Sequence, residues 1–126
     1  METCLYVSDL EAAETFYRDV LGLEKISKAE GRHVFFKGES AVILLFNPET
    51  TAQSSDSDIP LHGAHGSCHV AFETSLDDLA DWRQHLKQHQ IEIETEIDWP
   101  QGGKSIYFRD PDGNSLELVT PQTWGF

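Results

Sequence analysis

Apolar and polar residues alternate from the start of the chain. In "TCLYV", residues 3–7, Thr3, Leu5 and Val7 fall on one side and Cys4 and Tyr6 on the other. That period of two predicts a strand with one covered face. The period then lengthens. Through "SDLEAAETFYRDVLGLE" the apolar positions are Leu10, Ala13, Phe16, Tyr17, Val20 and Leu21, which is helical spacing. Ser8 and Glu11 read as a capping box, and Gly22 as the C-terminal stop. Strand patterns follow at 24–27, at "RHVFFK" (32–37) and at "AVILLF" (41–46), with "KGES" as the turn between the last two.

The same order then recurs. "CHVAFET" (68–74) alternates. "SLDDLADWRQHLKQHQ" carries a helical stripe of Leu76, Leu79, Trp82 and Leu86, with Ser75 and Asp78 as its cap. Strand patterns follow at 91–97, 104–109 and 115–120, and "DPDGN" connects the last two. The expectation is an α+β fold of two βαβββ modules, about 1–46 and 68–121, joined by a polar loop at 47–67. A four-stranded sheet with one helix has one covered face. Two such modules would form a cup-shaped mixed sheet with the helices on its outer face.

Alternation then selects what lines the cup. The first strand leaves Glu2, Cys4 and Tyr6 uncovered, and "AVILLF" leaves Val42, Leu44 and Phe46. The second module leaves His69, Ala71 and Glu73, then Ser115, Glu117 and Val119, with Tyr107 and Arg109 also facing inward. One wall is apolar and one carries His69, Glu73 and Glu117, a mixture typical of small-molecule sites.

Composition narrows the partners. A net charge of −13 over 126 residues opposes binding to phosphate backbones, so no nucleic acid is expected. It is compatible with a cationic ligand. No run is apolar and long enough to span a membrane, and no basic-then-apolar start reads as a leader, so a cytoplasmic location is expected. Two cysteines, Cys4 and Cys68, make neither a disulfide framework nor a paired-cysteine zinc site. They read as buried thiols.

Three segments, "LYVSDLEAAETFYRDVLGLE" (5–24), "HVAFET" (69–74) and "YFRDPDGNSLELVTP" (107–121), together with the repeat, resemble the vicinal oxygen chelate superfamily. That group includes glyoxalase I, extradiol dioxygenases, fosfomycin-resistance thiol transferases and bleomycin-resistance proteins. The resemblance implies paired βαβββ modules, often a homodimer, and one divalent metal at the floor of the cup. The four ligand positions of the group fall here on Glu2, Leu44, His69 and Glu117. A leucine cannot ligate, so a four-ligand set is incomplete. His69, Glu117 and Glu2 remain as a three-ligand set suited to Mn, Fe, Zn or Ni, with open positions for substrate oxygens.

Two functions stay open at this point. As an enzyme, the protein would hold a small substrate on the metal, with Glu73 as base and Tyr6 or Tyr107 orienting it in a pocket that includes Val42, Leu44, Phe46, Trp99 and Arg109. The reaction would be a lyase, isomerase, transferase or dioxygenase type. As a metal-free binder, similar to bleomycin-resistance proteins, it would sequester a cationic or aromatic drug by stacking and cation–π contact. Trp99, before Pro100, reads as a pocket lid. Trp82 reads as helix packing, and Trp124 as a closure of the cup or of a subunit interface. His62 and His65 read as surface loop residues. His85 and His89, one turn apart, read as a solvated helix face.

Overall fold

The computed structural model describes residues 1–53 and 58–126. The predicted crossover at 47–67 is therefore covered except at 54–57, which lie outside the described residues. The chain divides into two compact units, Met1–Cys68 and His69–Phe126. Each is an α+β unit with a mixed four-stranded sheet, as the repeat predicts.

In the first unit, strand β1 (Glu2–Tyr6) leads to helix α1 (Leu10–Asp19) and then to β2 (Glu24–Ala29), β3 (His33–Lys37) and β4 (Val42–Phe46). The sheet order is β1-β4-β3-β2. β1 runs parallel to β4 and the other neighbours are antiparallel. Helix α1 covers one sheet face with Ala13, Phe16 and Tyr17 against Leu5, Phe36 and Leu45, all nearly inaccessible to water. The Tyr17 ring stacks on Phe36 at 6.1 Å. Each large apolar side chain buried in this way contributes about 1.5–3 kcal/mol.

The helix starts one residue later than the sequence pattern suggests. Asp9 is the cap, its carboxylate accepting the Ala12 N–H at 3.0 Å. A charged oxygen at the positive end of the helix satisfies an otherwise unpaired amide. At the other end Gly22 adopts φ +69, and Leu23 N–H donates to the Tyr17 carbonyl at 3.2 Å. The connection after β4 holds a short helix, α2 (Pro48–Thr51), capped by Asn47.

The second unit repeats the order with β5 (His69–Glu73), α3 (Leu79–Gln88), β6 (Thr95–Asp98), β7 (Lys104–Arg109) and β8 (Ser115–Val119), then a 3₁₀ turn, Pro121–Trp124. Its sheet order is β5-β8-β7-β6. The Ser75–Asp78 pair forms as expected, with Asp78 N–H donating to Ser75 Oγ at 3.1 Å and Ser75 O–H donating back to the Asp78 carboxylate at 2.7 Å. That first turn is irregular, however. The regular helix begins at Leu79, and Leu76 is exposed rather than part of the stripe. Strand β6 is also shorter than 91–97.

The turn between β7 and β8 is built around one buried carboxylate. Buried Asp110 accepts N–H bonds from Asp112 and Asn114 at 3.0 and 2.8 Å, and a side-chain bond from Asn114 at 2.9 Å. This local satisfaction of a buried carboxylate fixes the turn. It thereby fixes the register that sets Tyr107 opposite Glu117.

Candidate metal and substrate site

Strand register brings the polar residues of the second unit together. Ala71 pairs with Glu117 and His69 with Ser115 across β5 and β8. Leu116 and Leu118 are buried toward the helix side, so Glu117 projects from the opposite face. It is nevertheless only 6% exposed, and such a carboxylate requires partners. Ser105 O–H donates to its Oε1 at 2.5 Å, and Tyr107 O–H donates to the same atom at 2.9 Å. The second oxygen, Oε2, lies 3.2 Å from His69 Nε2.

The His69 ring is oriented by its other nitrogen. Nδ1 lies 3.0 Å from the Ser115 carbonyl. A carbonyl only accepts, so Nδ1 carries a proton, and in the neutral ring Nε2 would then present its lone pair. A lone pair and a carboxylate oxygen facing each other repel unless a proton or a cation lies between them. The 3.2 Å separation also suits two cis donors on one ion, since bonds of about 2.1 Å at a right angle separate the donors by about 3.0 Å. Imidazole and carboxylate together fit Mn, Fe, Zn or Ni. Among the described residues, no three His, Cys, Asp or Glu side chains converge tightly enough to hold an ion by themselves.

Tyr107 is half-buried beside this pair. Burial raises its pKa above the ordinary value, and the Glu117 carboxylate raises it further through the hydrogen bond and its charge. The phenol is therefore a protonated donor rather than a base. Trp99, in the β6–β7 hairpin, is half-buried, and its indole N–H donates to Ser105 Oγ at 2.7 Å. Arg109 is turned elsewhere. Its guanidinium binds both Glu94 oxygens, at 3.0 and 3.2 Å, and the Gly113 carbonyl at 3.0 Å. Glu73 is exposed at the far end of β5. Four residues at about 3.3 Å each put it roughly 13 Å from His69 along the strand.

The other sequence candidates belong to the first unit. Glu2 is exposed as the first residue of β1, and Val42 pairs with it. Leu44 is half-buried, opposite Cys4 and Phe35. Phe46 is buried, with edge contacts to Phe35 at 5.2 Å and to the His62 ring at 4.6 Å, and the Arg32 guanidinium 5.5 Å from its centre. Tyr6 shares a hydrogen bond with His62 Nδ1 at 2.8 Å. Desolvation, then its neighbour Cys4, raise the Tyr6 pKa. His62 lies in the loop, as the sequence suggests, but its ring is half-buried on this face rather than free at the surface. Cys4 and Cys68 are free thiols, but Cys4 is exposed and Cys68 half-buried rather than buried as expected. No helix among the described residues is long and apolar enough to cross a membrane.

Sequence reading missed Ser105. The signal was available, because Ser105, Tyr107 and Arg109 alternate against buried Ile106 and Phe108. A small hydroxyl in a strand carries no chemical mark by itself.

Known proteins resemble this chain over nearly its whole length. The family model described as Glyoxalase/Bleomycin resistance protein/Dioxygenase superfamily matches residues 2–118. Metallothiol transferase FosB of Staphylococcus epidermidis is 31% identical over 122 residues, covering 93% of this chain and 78% of that protein. The FosB of Staphylococcus haemolyticus is 33% identical over 115 residues, covering 90% and 77%. Among solved structures, a lactoylglutathione lyase from Agrobacterium tumefaciens superposes with a TM-score of 0.96 at 42% identity, covering 100% of this chain and 96% of that one.

Proposed function

Since the chain belongs to the Glyoxalase/Bleomycin resistance protein/Dioxygenase superfamily, we propose that it is a metal-dependent enzyme of the vicinal oxygen chelate type acting on a small molecule. The observation that carries this reading is His69 Nε2 set 3.2 Å from Glu117 Oε2, with Nδ1 of the same ring held by the Ser115 carbonyl. His69 and Glu117 would hold a divalent Mn, Fe, Zn or Ni ion. The bound ion would supply Lewis acidity toward a substrate with two adjacent oxygens.

The protein's own groups do the rest. The Ser115 carbonyl keeps His69 in the ligating tautomer. Tyr107 remains protonated, orients Glu117 and can offer a hydrogen bond to substrate. Glu73 acts as base only toward a substrate that spans its distance from His69. Trp99 supplies apolar contact beside the pair. Arg109, held by Glu94, shapes the rim.

Thiol transfer is the preferred reaction, since the relatives named above include metallothiol transferases. Lyase or isomerase chemistry is the next to test, on the strength of the lactoylglutathione lyase. We read the working form as a cytoplasmic homodimer.

A second reading rests on the aromatic cluster of Tyr6, Phe35, Phe46 and His62, which suits metal-free capture of an aromatic or cationic drug. Metal analysis of protein purified without a histidine tag separates the two. The enzyme reading expects one divalent ion per chain, lost in His69→Ala together with turnover of a thiol and an electrophile. It fails if wild type takes up no ion. The binding reading expects quenching of tryptophan fluorescence by cationic aromatic drugs in metal-free protein.

A further inference from the structure

Glu117 has two oxygens, and something must decide which one turns toward His69. We infer that Trp99 makes that choice as a positioning residue acting through Ser105; its functional meaning rests on the metal site proposed above. An indole N–H can only donate, and a serine hydroxyl carries one proton. The bond from Trp99 Nε1 occupies a lone pair of Ser105 Oγ. The Ser105 proton is thereby directed to Glu117 Oε1. Tyr107 donates to that same oxygen from the neighbouring position on β7. With Oε1 held twice, Oε2 is the oxygen left to face His69. Without the indole, the Ser105 hydroxyl could rotate and the carboxylate could swing with it.

Trp99 is itself fixed from two sides. Its backbone N–H donates to the Gly103 carbonyl at 2.8 Å, and its backbone carbonyl accepts from the Gly102 N–H at 2.9 Å, closing the β6–β7 hairpin. Behind the hairpin lies the C-terminal 3₁₀ turn. A side chain on Gly103 would bring its Cβ to 2.2 Å from the Thr123 amide nitrogen, so only glycine permits that approach. Lys104 N–H donates to Thr120 Oγ1, and Thr120 N–H donates to the Lys104 carbonyl, both at 3.0 Å. The order of support is therefore tail, hairpin, indole, serine, carboxylate.

The test has a metal-free arm and a metal arm. In ¹⁵N-labelled metal-free protein, Ser105→Ala is expected to shift the Trp99 indole N–H resonance and speed its solvent exchange, while those of Trp82 and Trp124 stay in place. An unmoved Trp99 resonance overturns the inference whatever the metal result. In calorimetric titration with Mn²⁺, Trp99→Phe is expected to bind about 10-fold more weakly than wild type. Adding Trp99→Phe to Ser105→Ala should cost nothing further, because both act through one hydroxyl. Wild-type affinity in Trp99→Phe overturns the inference and leaves the metal reading intact. A wild type that binds no Mn²⁺, Fe²⁺, Zn²⁺ or Ni²⁺ overturns both. Should Trp99→Phe fail to fold, Ser105→Ala carries the affinity arm with the same expected loss, and an unchanged affinity there rejects the inference.

Discussion

The two units share one topology and one register, and they differ on the face that their helices leave uncovered. In the first unit, Leu44 of β4 pairs with Cys4 and Phe35. In the second, Glu117 of β8 pairs with Ala71 and Tyr107 at the equivalent positions. His33 stands where Ser105 stands, and Glu2 where His69 stands. The aromatic set is held by ring contacts, such as His33 stacked on Phe35 at 4.0 Å. The polar set is held by hydrogen bonds that converge on one carboxylate. The helix-facing sides, by contrast, are apolar in both units, with Ile43 and Leu45 in one and Leu116 and Leu118 in the other. The covered face builds the fold and tolerates little change. The uncovered face can carry a ring cluster or a ligand set on the same backbone.

The sharpest way to break this comparison is to give the second unit the first unit's residue. Glu117→Leu removes one proposed ligand and the acceptor of Ser105 and Tyr107. Mn²⁺ affinity is expected to fall more than about 100-fold by calorimetry, while stability falls by only about 1–2 kcal/mol in urea unfolding, the cost of the orphaned hydroxyls. Retained affinity would show that the carboxylate is structural. The reverse exchange, Leu44→Glu, places a carboxylate on a half-buried position flanked by Phe35 and Cys4 with no hydroxyl to receive it. It is expected to cost about 2 kcal/mol. Adding Phe35→Tyr, which recreates the Tyr107 donor, should recover part of that loss; if it recovers none, the second unit's network depends on more than this pairing.

How much of this was legible in the sequence follows from the same division. The period of two in "TCLYV" and "SLELV" and the helical stripe through Phe16 and Tyr17 report burial, which is a property of single positions. They yielded the repeat, the elements and the face on which Glu117 lies. The "DPDGN" turn carries its own chemistry in Asp110 and Asn114 and was equally readable. What was not readable depends on side chains meeting across strands. His62 settling onto Phe46, Trp99 donating to Ser105, and Arg109 being taken by Glu94 are pairings between separate segments. Nothing in the local pattern around any one of them specifies the partner. The helix caps lie between these cases. Ser8 and Asp9 both suit a cap, and the choice of Asp9 turned on a single residue of phase.

The helices are also tied to their sheets by different means. In the first unit, buried Glu14 of α1 binds Lys25 at 2.6 Å and Lys28 at 2.7 Å, both on β2. In the second, Arg83 of α3 binds Glu96 of β6 at 2.7 Å with both side chains well exposed. The Lys25 bond, then the Lys28 bond, hold the Glu14 pKa below its ordinary value against the opposing effect of burial. A carboxylate whose folded pKa is lowered adds stability above its unfolded pKa and loses it as pH falls through the folded one. Glu14→Gln should therefore cost about 1 kcal/mol at neutral pH, discounted because the lysine ends reach water. The gap between variant and wild type should close below about pH 4. A gap in urea midpoint that persists unchanged in acid would mean that the charge is not what matters.

The smallest difference lies where the two helices end. The first unit uses Gly22 at φ +69, whereas the second places Gln90 at φ +59. A side chain in that left-handed region crowds its own backbone, and glycine does not. Ile91 N–H donates to the Leu86 carbonyl across this turn at 2.9 Å, so the conformation is required by the helix end. Gln90 is exposed, and its replacement by glycine removes no buried contact. Gln90→Gly relieves the crowding but widens the conformational freedom of the unfolded chain. The relief is expected to prevail by about 0.5–1 kcal/mol, a rise of a few degrees in melting temperature. Gln90→Ala, which keeps a Cβ at the same φ, should show no such gain. If the two variants melt together, backbone strain at position 90 does not distinguish this helix end from its counterpart at Gly22.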